Sequence, residues 1–102
     1  MAIPILLKIL AVIVGLAVTA LVILHWRTIV DWFRGRQTLV ESDRANIAFS
    51  LQEKLQTGRF KTVYGVFNTR TNTLKEAEAV ESAKIDHDLR EVHRDSPLVI
   101  VR

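Results

Sequence analysis

Cysteine is absent from this 102-residue chain, which excludes disulfide staples, cysteine-based zinc or iron–sulfur sites and all thiol chemistry. Glycine is scarce. The four glycines lie far apart, so no glycine-rich loop can cradle a phosphate. No nucleophile elbow, internal repeat or low-complexity segment occurs either. Formal charge is missing over one long stretch, Ile9 to Trp26, which reads ILAVIVGLAVTALVILHW.

What is present is a basic excess with an uneven distribution. The net charge is +3 and the pI near 9.7. Residues 1–36 carry Lys8, Arg27, Arg34 and Arg36 against Asp31 alone, whereas residues 37–102 carry ten basic and ten acidic side chains. The basic excess therefore belongs entirely to the N-terminal third. A neutral remainder has no electrostatic footprint for DNA or RNA, and no nucleic-acid partner is expected.

The uncharged stretch predicts a membrane anchor. Its eighteen residues, extended by Ile3 to Leu7 beyond Lys8, match the roughly 20 needed to span about 30 Å of hydrocarbon. Lys8 can snorkel to one interface, while His25, Trp26, Arg27, Trp32, Arg34 and Arg36 fall at the other. Three arginines after the span outnumber the one lysine before it, which places the N-terminus outside and the C-terminal part in the cytoplasm. A cleaved signal peptide, with Val18-Thr19-Ala20 as its small-residue site, fits less well, because apolar residues continue through Leu24. Ala11, Gly15 and Thr19 recur every four residues, the small-residue spacing that lets helix backbones pack closely.

Residues 37–102 read as a small cytoplasmic α+β domain. Val40, Ile47, Ala48, Leu51 and Leu55 share one side at helical spacing, so Thr38 to Gln56 is expected as an amphipathic helix, with Asp43 to Thr57 its firm part. Phe49 then falls on the opposite, polar side, where it reads as a partner contact. Phe60 to Phe67 reads as a central strand, apolar on both faces, followed by a turn at residues 68–72. Thr73 to Glu81 is expected to double back as a hairpin strand despite its helix-favouring composition. Asp86 should cap a short helix ending near Arg94, and Leu98 to Val101 should be a last strand. The expected fold is thus a single-pass transmembrane α-helix (residues 1–36) plus an α-β-β-α-β domain (residues 37–102), a three-stranded sheet with one helix packed on it.

One cluster has the composition of a catalytic or metal site: Asp86, His87, Asp88, Glu91, His93 and Asp95. Its spacing argues against that role. The two histidines are six apart rather than four, and they face different sides of the helix. No enzyme, cofactor or metal is therefore expected. The expected function is a non-catalytic accessory subunit docked by its helix into a larger integral-membrane complex and in contact with lipid. The alternative is a membrane-tethered module that recruits a soluble partner, with the last strand pairing to it if that strand lies at a sheet edge. The small-residue face would equally allow a homo-oligomer.

Overall fold

The apolar N-terminal run does not stay helical. In the computed structural model, which describes residues 4–101, helix α1 covers Ile5–Val12 and ends in a turn around Ile13–Gly15. Strand β1 follows at Val18–Leu24. No helix among the described residues is long and apolar enough to cross a membrane. The expected single-pass anchor is corrected accordingly, and with it the outside-to-cytoplasm placement and the membrane assignment derived from that span. Ile3, at the start of the expected span, and Arg102 lie outside the described residues. The reason lies in the side chains. Val18, Thr19, Val22 and Ile23 are β-branched and favour a pleated strand once a neighbouring strand is offered. An apolar run alone does not separate a helix from a strand.

The remaining elements are α2 (Trp26–Arg34), α3 (Gln37–Glu41), β2 (Asn46–Lys54), β3 (Phe60–Asn68), β4 (Thr73–Ile85), α4 (His87–Val92) and β5 (Leu98–Ile100). They form one five-stranded mixed sheet in the order β1-β4-β3-β2-β5, in place of the expected three strands. β2, β3 and β4 make an antiparallel meander, β5 joins antiparallel beyond β2, and β1 joins parallel beyond β4. Residues on both sides of position 36 thus contribute to a single sheet.

The strand expected from Phe60 runs to Asn68 and is central, buried from Thr62 onward. The hairpin expected at Thr73 is present and extends to Ile85. Its turn is set by Asn68, whose side-chain oxygen accepts from the Arg70 and Thr71 N–H groups, and by Asn72 at φ +56°. Asparagine tolerates that left-handed backbone better than most residues.

The helix expected from Thr38 to Gln56 is instead the five-residue α3 followed by β2. Phe49 marks the difference. As a helix, the segment leaves Phe49 on the polar side. As a strand, Ile47, Phe49 and Leu51 share one face. Phe49 is fully buried there, in a core with Ile9, Leu51, Val63, Phe67 and Ala79, so it is not an exposed partner contact.

Alternation along the strands builds two apolar layers. α1 lies on one face through Ile9. On the other, Leu24, Tyr64, Val80 and Ile85 pack with Ile29 of α2 and Leu89 of α4, and Val66 and Ala48 pack with Val40 of α3. Gly65 is required where β3 meets β4. A Cβ there would sit 2.5 Å from the Glu76 carbonyl oxygen and 2.7 Å from the Ala77 Cβ, both on the neighbouring strand. Gly65→Ala is therefore expected to cost about 1–3 kcal/mol, as other overpacking changes do. At roughly 4–8 °C per kcal/mol for a chain this size, the loss is readable as a lowered midpoint in thermal unfolding followed by circular dichroism. An unchanged midpoint would contradict this packing.

Candidate functional site

Among the described residues, the outer edge of β1 is an unprotected sheet edge. Leu24 accepts a hydrogen bond from the Asp86 N–H through its carbonyl, so the backbone of Leu24 faces β4. By alternation along the strand, Val18, Ala20 and Val22 face β4 as well, while the N–H and C=O groups of Thr19, Leu21 and Ile23 face outward. No side chain of β1 is charged. Val18, Leu21, Val22 and Ile23 are 47%, 38%, 76% and 37% exposed, so the strand is bare on both faces. Edge strands are usually blunted by shortness, lysine, proline or a bulge, and β1 has none of these. At the opposite edge, β5 is only three residues long.

A second apolar feature lies on the α1 face. α1 is too short to cover five strands. It leaves a cavity of about 390 Å³, walled by Leu6, Leu10, Ile13, Val14, Leu51 and Val63 and rimmed by Gln52, Glu53 and Lys61. Leu7, Leu10 and Val14 remain exposed beside it.

The polar groups that could suggest chemistry are used to join elements. Asp86 follows β4 and caps α4 by accepting from the Leu89 N–H at 2.9 Å; its carboxylate also accepts from the Trp26 N–H at 3.1 Å, the first residue of α2. His25 Nδ1 lies 3.3 Å from the other carboxylate oxygen. One side chain thus holds two helix N-termini where the parallel strands end. Burial acts to raise the Asp86 carboxyl, but the hydrogen bonds from Leu89, Trp26 and His25 outweigh it and hold the group below the usual aspartate value. Asp86→Ala is expected to cost roughly 1–2 kcal/mol for each helix start it leaves uncapped. Chemical denaturation checks this, and a variant of wild-type stability would contradict the double cap.

His93 makes a second joint. Its Nδ1 is 3.0 Å from the Ser96 carbonyl oxygen, which can only accept, so Nδ1 carries the proton. Nε2 is then free to accept from Ser50 Oγ at 2.8 Å. The arrangement has the order of a nucleophile, a base and an orienting group, but Ser50 is fully buried within β2. The contact ties the segment leading into β5 onto the sheet. Burial lowers the His93 pKa, and the Ser96 carbonyl offsets this only in part. The folded chain therefore binds this proton less readily than the unfolded chain. The resulting stability is fully present above the ordinary value of 6.5 and is lost as pH falls through the lowered folded value. Unfolding free energies measured across that range should decline more steeply with falling pH in the wild type than in His93→Gln. Parallel curves would refute the linkage.

Ala11 lies in α1, Gly15 in the turn after it and Thr19 in β1, so the three do not share a helix face. Lys8 is half-buried on α1. Trp32 packs edge-on against Phe33 and Tyr64 at 5.2 and 5.4 Å, with the Arg36 guanidinium 3.9 Å from the Trp32 ring centre and its Nε 3.0 Å from Glu76. Trp26 joins the same core. Arg27 and Arg34 flank Asp31 on the exposed side of α2. His87 is exposed, and among the described residues no three His, Cys, Asp or Glu side chains are grouped to hold a metal. Sequence reasoning missed the β1 edge. Its one legible signal was the density of β-branched residues from Val18 to Ile23.

No protein-family model, characterised protein or solved structure matches this chain.

Proposed function

We propose that the chain is a non-catalytic protein-interaction module that takes up a partner by strand addition at the outer edge of β1. One observation carries this reading: a seven-residue, uncharged, largely apolar edge strand whose first six residues, Val18 to Ile23, are all exposed. Three outward-facing residues supply main-chain donors and acceptors for a partner strand, and alternating side chains on both faces supply apolar contact. A small subunit of a larger assembly would use the same surface, docking by a strand. The β5 edge, placed where the sequence reading required it for partner pairing, is secondary because three residues present few backbone groups.

The substitution that separates strand addition from general stickiness is Leu21→Pro. It removes an outward N–H and leaves the β4 ladder intact, since proline is tolerated on the free side of an edge strand. A labelled, uncharged heptapeptide of alternating valine and threonine is expected to bind the wild-type chain saturably in fluorescence anisotropy. Leu21→Pro should keep the wild-type circular dichroism spectrum and weaken that binding at least about tenfold, or about 1.4 kcal/mol. Equal binding by a folded Leu21→Pro chain would overturn the proposal.

A further inference from the structure

The geometry points to a second copy of this chain as the strand that β1 receives, an inference that rests on the strand-addition reading above. A two-fold contact sets a surface against itself, so each residue must tolerate the partner that symmetry assigns to it. β1 meets that condition. With the axis perpendicular to the sheet at Leu21, antiparallel pairing sets Leu21 against Leu21 of the second copy. Thr19 then opposes Ile23, Ala20 opposes Val22, and Val18 opposes Leu24. No pair brings like charges together, and every pair but Thr19–Ile23 is wholly apolar.

The backbone fits the same register. Thr19, Leu21 and Ile23 are the residues whose N–H and C=O groups face outward, and this register makes them the hydrogen-bonded pairs of an antiparallel ladder, with about two bonds to each pair. A one-residue slip would oppose outward-facing groups with inward-facing ones, and a two-residue shift would leave two residues of each strand unpaired, whereas the axis at Leu21, the centre of Val18–Leu24, pairs all seven. The two sheets then merge into one of ten strands, twice the five in each copy. Because the axis is perpendicular to the sheet, both α1 helices lie on one face and both α2–α4 layers on the other. On one face Leu21 meets its own copy, and on the opposite face Val22, the most exposed large apolar residue of β1, is covered by Ala20.

The size of the contact sets its strength. A seven-residue strand is about 24 Å long. Paired with its copy it lies at the small end of specific interfaces, roughly 1,000 Å² in total, which predicts a reversible dimer with a micromolar dissociation constant rather than an obligate one.

The full chain contains no cysteine, so one introduced thiol reports the axis directly. Hydrogen-bonded antiparallel pairs hold their Cα atoms about 5.5 Å apart, inside the range a disulfide spans. Leu21→Cys under mild oxidation is expected to give a covalent dimer across the micromolar range. Val22→Cys, whose two copies are offset along the ladder, and Ile100→Cys, on the opposite edge, are expected to stay monomeric. Sedimentation velocity of the unmodified chain should show a monomer–dimer equilibrium that Leu21→Pro shifts towards monomer at least about tenfold. Failure of Leu21→Cys to crosslink while its circular dichroism matches wild type would overturn the inference, as would equal crosslinking by Ile100→Cys. If the chain stays monomeric but the valine–threonine heptapeptide still binds β1, the second copy is refuted and strand addition stands. If neither associates, both readings fall.

Discussion

A parallel ladder between Val18–Leu24 and residues 79–85 of β4 takes the apolar N-terminal run out of helix and into the sheet. Most of the architecture depends on that pairing. It brings the ends of β1 and β4 side by side, so that α2 and α4 start next to each other and one carboxylate, Asp86, can satisfy N–H groups of both. It also sets α1 back across the face that β1 has just left, where Ile9 closes the core around Phe49 and Phe67. A helix through the same residues would withdraw the fifth strand and leave the first layer without its cover.

Polar groups in this fold serve mainly to fasten its joints. Asp43 accepts from the Ala45 N–H and pairs with Arg70, while Asn68 bonds both Asp43 and Asn46, tying the turn before β2 to the turn after β3. The Asp43 carboxyl is held below its ordinary value chiefly by the Ala45 N–H, against a smaller opposing effect of burial. His93 fastens the approach to β5 in the same manner. These contacts account for Asp86 and His93, two of the residues that looked most chemical in the sequence. A carboxylate that completes two helix starts and an imidazole bonded to a sealed hydroxyl are each engaged with the protein itself, because buried polar groups must find partners.

The apolar surface is distributed in the opposite way. Tyr64 is drawn into the interior, with Trp32 and Phe33 half-buried against it beside Arg36, whereas Val14, Val18 and Val22 are left outside. An exposed apolar edge carries a standing risk of uncontrolled pairing, and a chain that retains one without lysine, proline or a bulge has reason to fill it. As in any edge strand, alternate backbone groups of β1 face outward, and the absence of charge along β1 makes it complementary to itself.

Several elements were legible in the residues alone. The aromatic and β-branched density of Phe60–Phe67 marked the central strand, the polar run at residues 68–72 marked its turn, and Asp86 marked a cap, because each depends on local chemistry. Two segments were not. Asn46–Lys54 satisfies a helical and an alternating pattern at once, and Phe49 belongs to the core only in the second. Ile9–Trp26 has the length and lack of charge of a membrane helix, yet it divides into α1, a turn and β1 because β4 offers the β-branched half a hydrogen-bonded neighbour some sixty residues away. The sequence by itself determined that these eighteen residues are apolar, uncharged and the most distinctive surface of the protein. Only the tertiary structure decided that their exposed half is a sheet edge, since backbone groups commit to helix or ladder according to which partner the rest of the chain supplies.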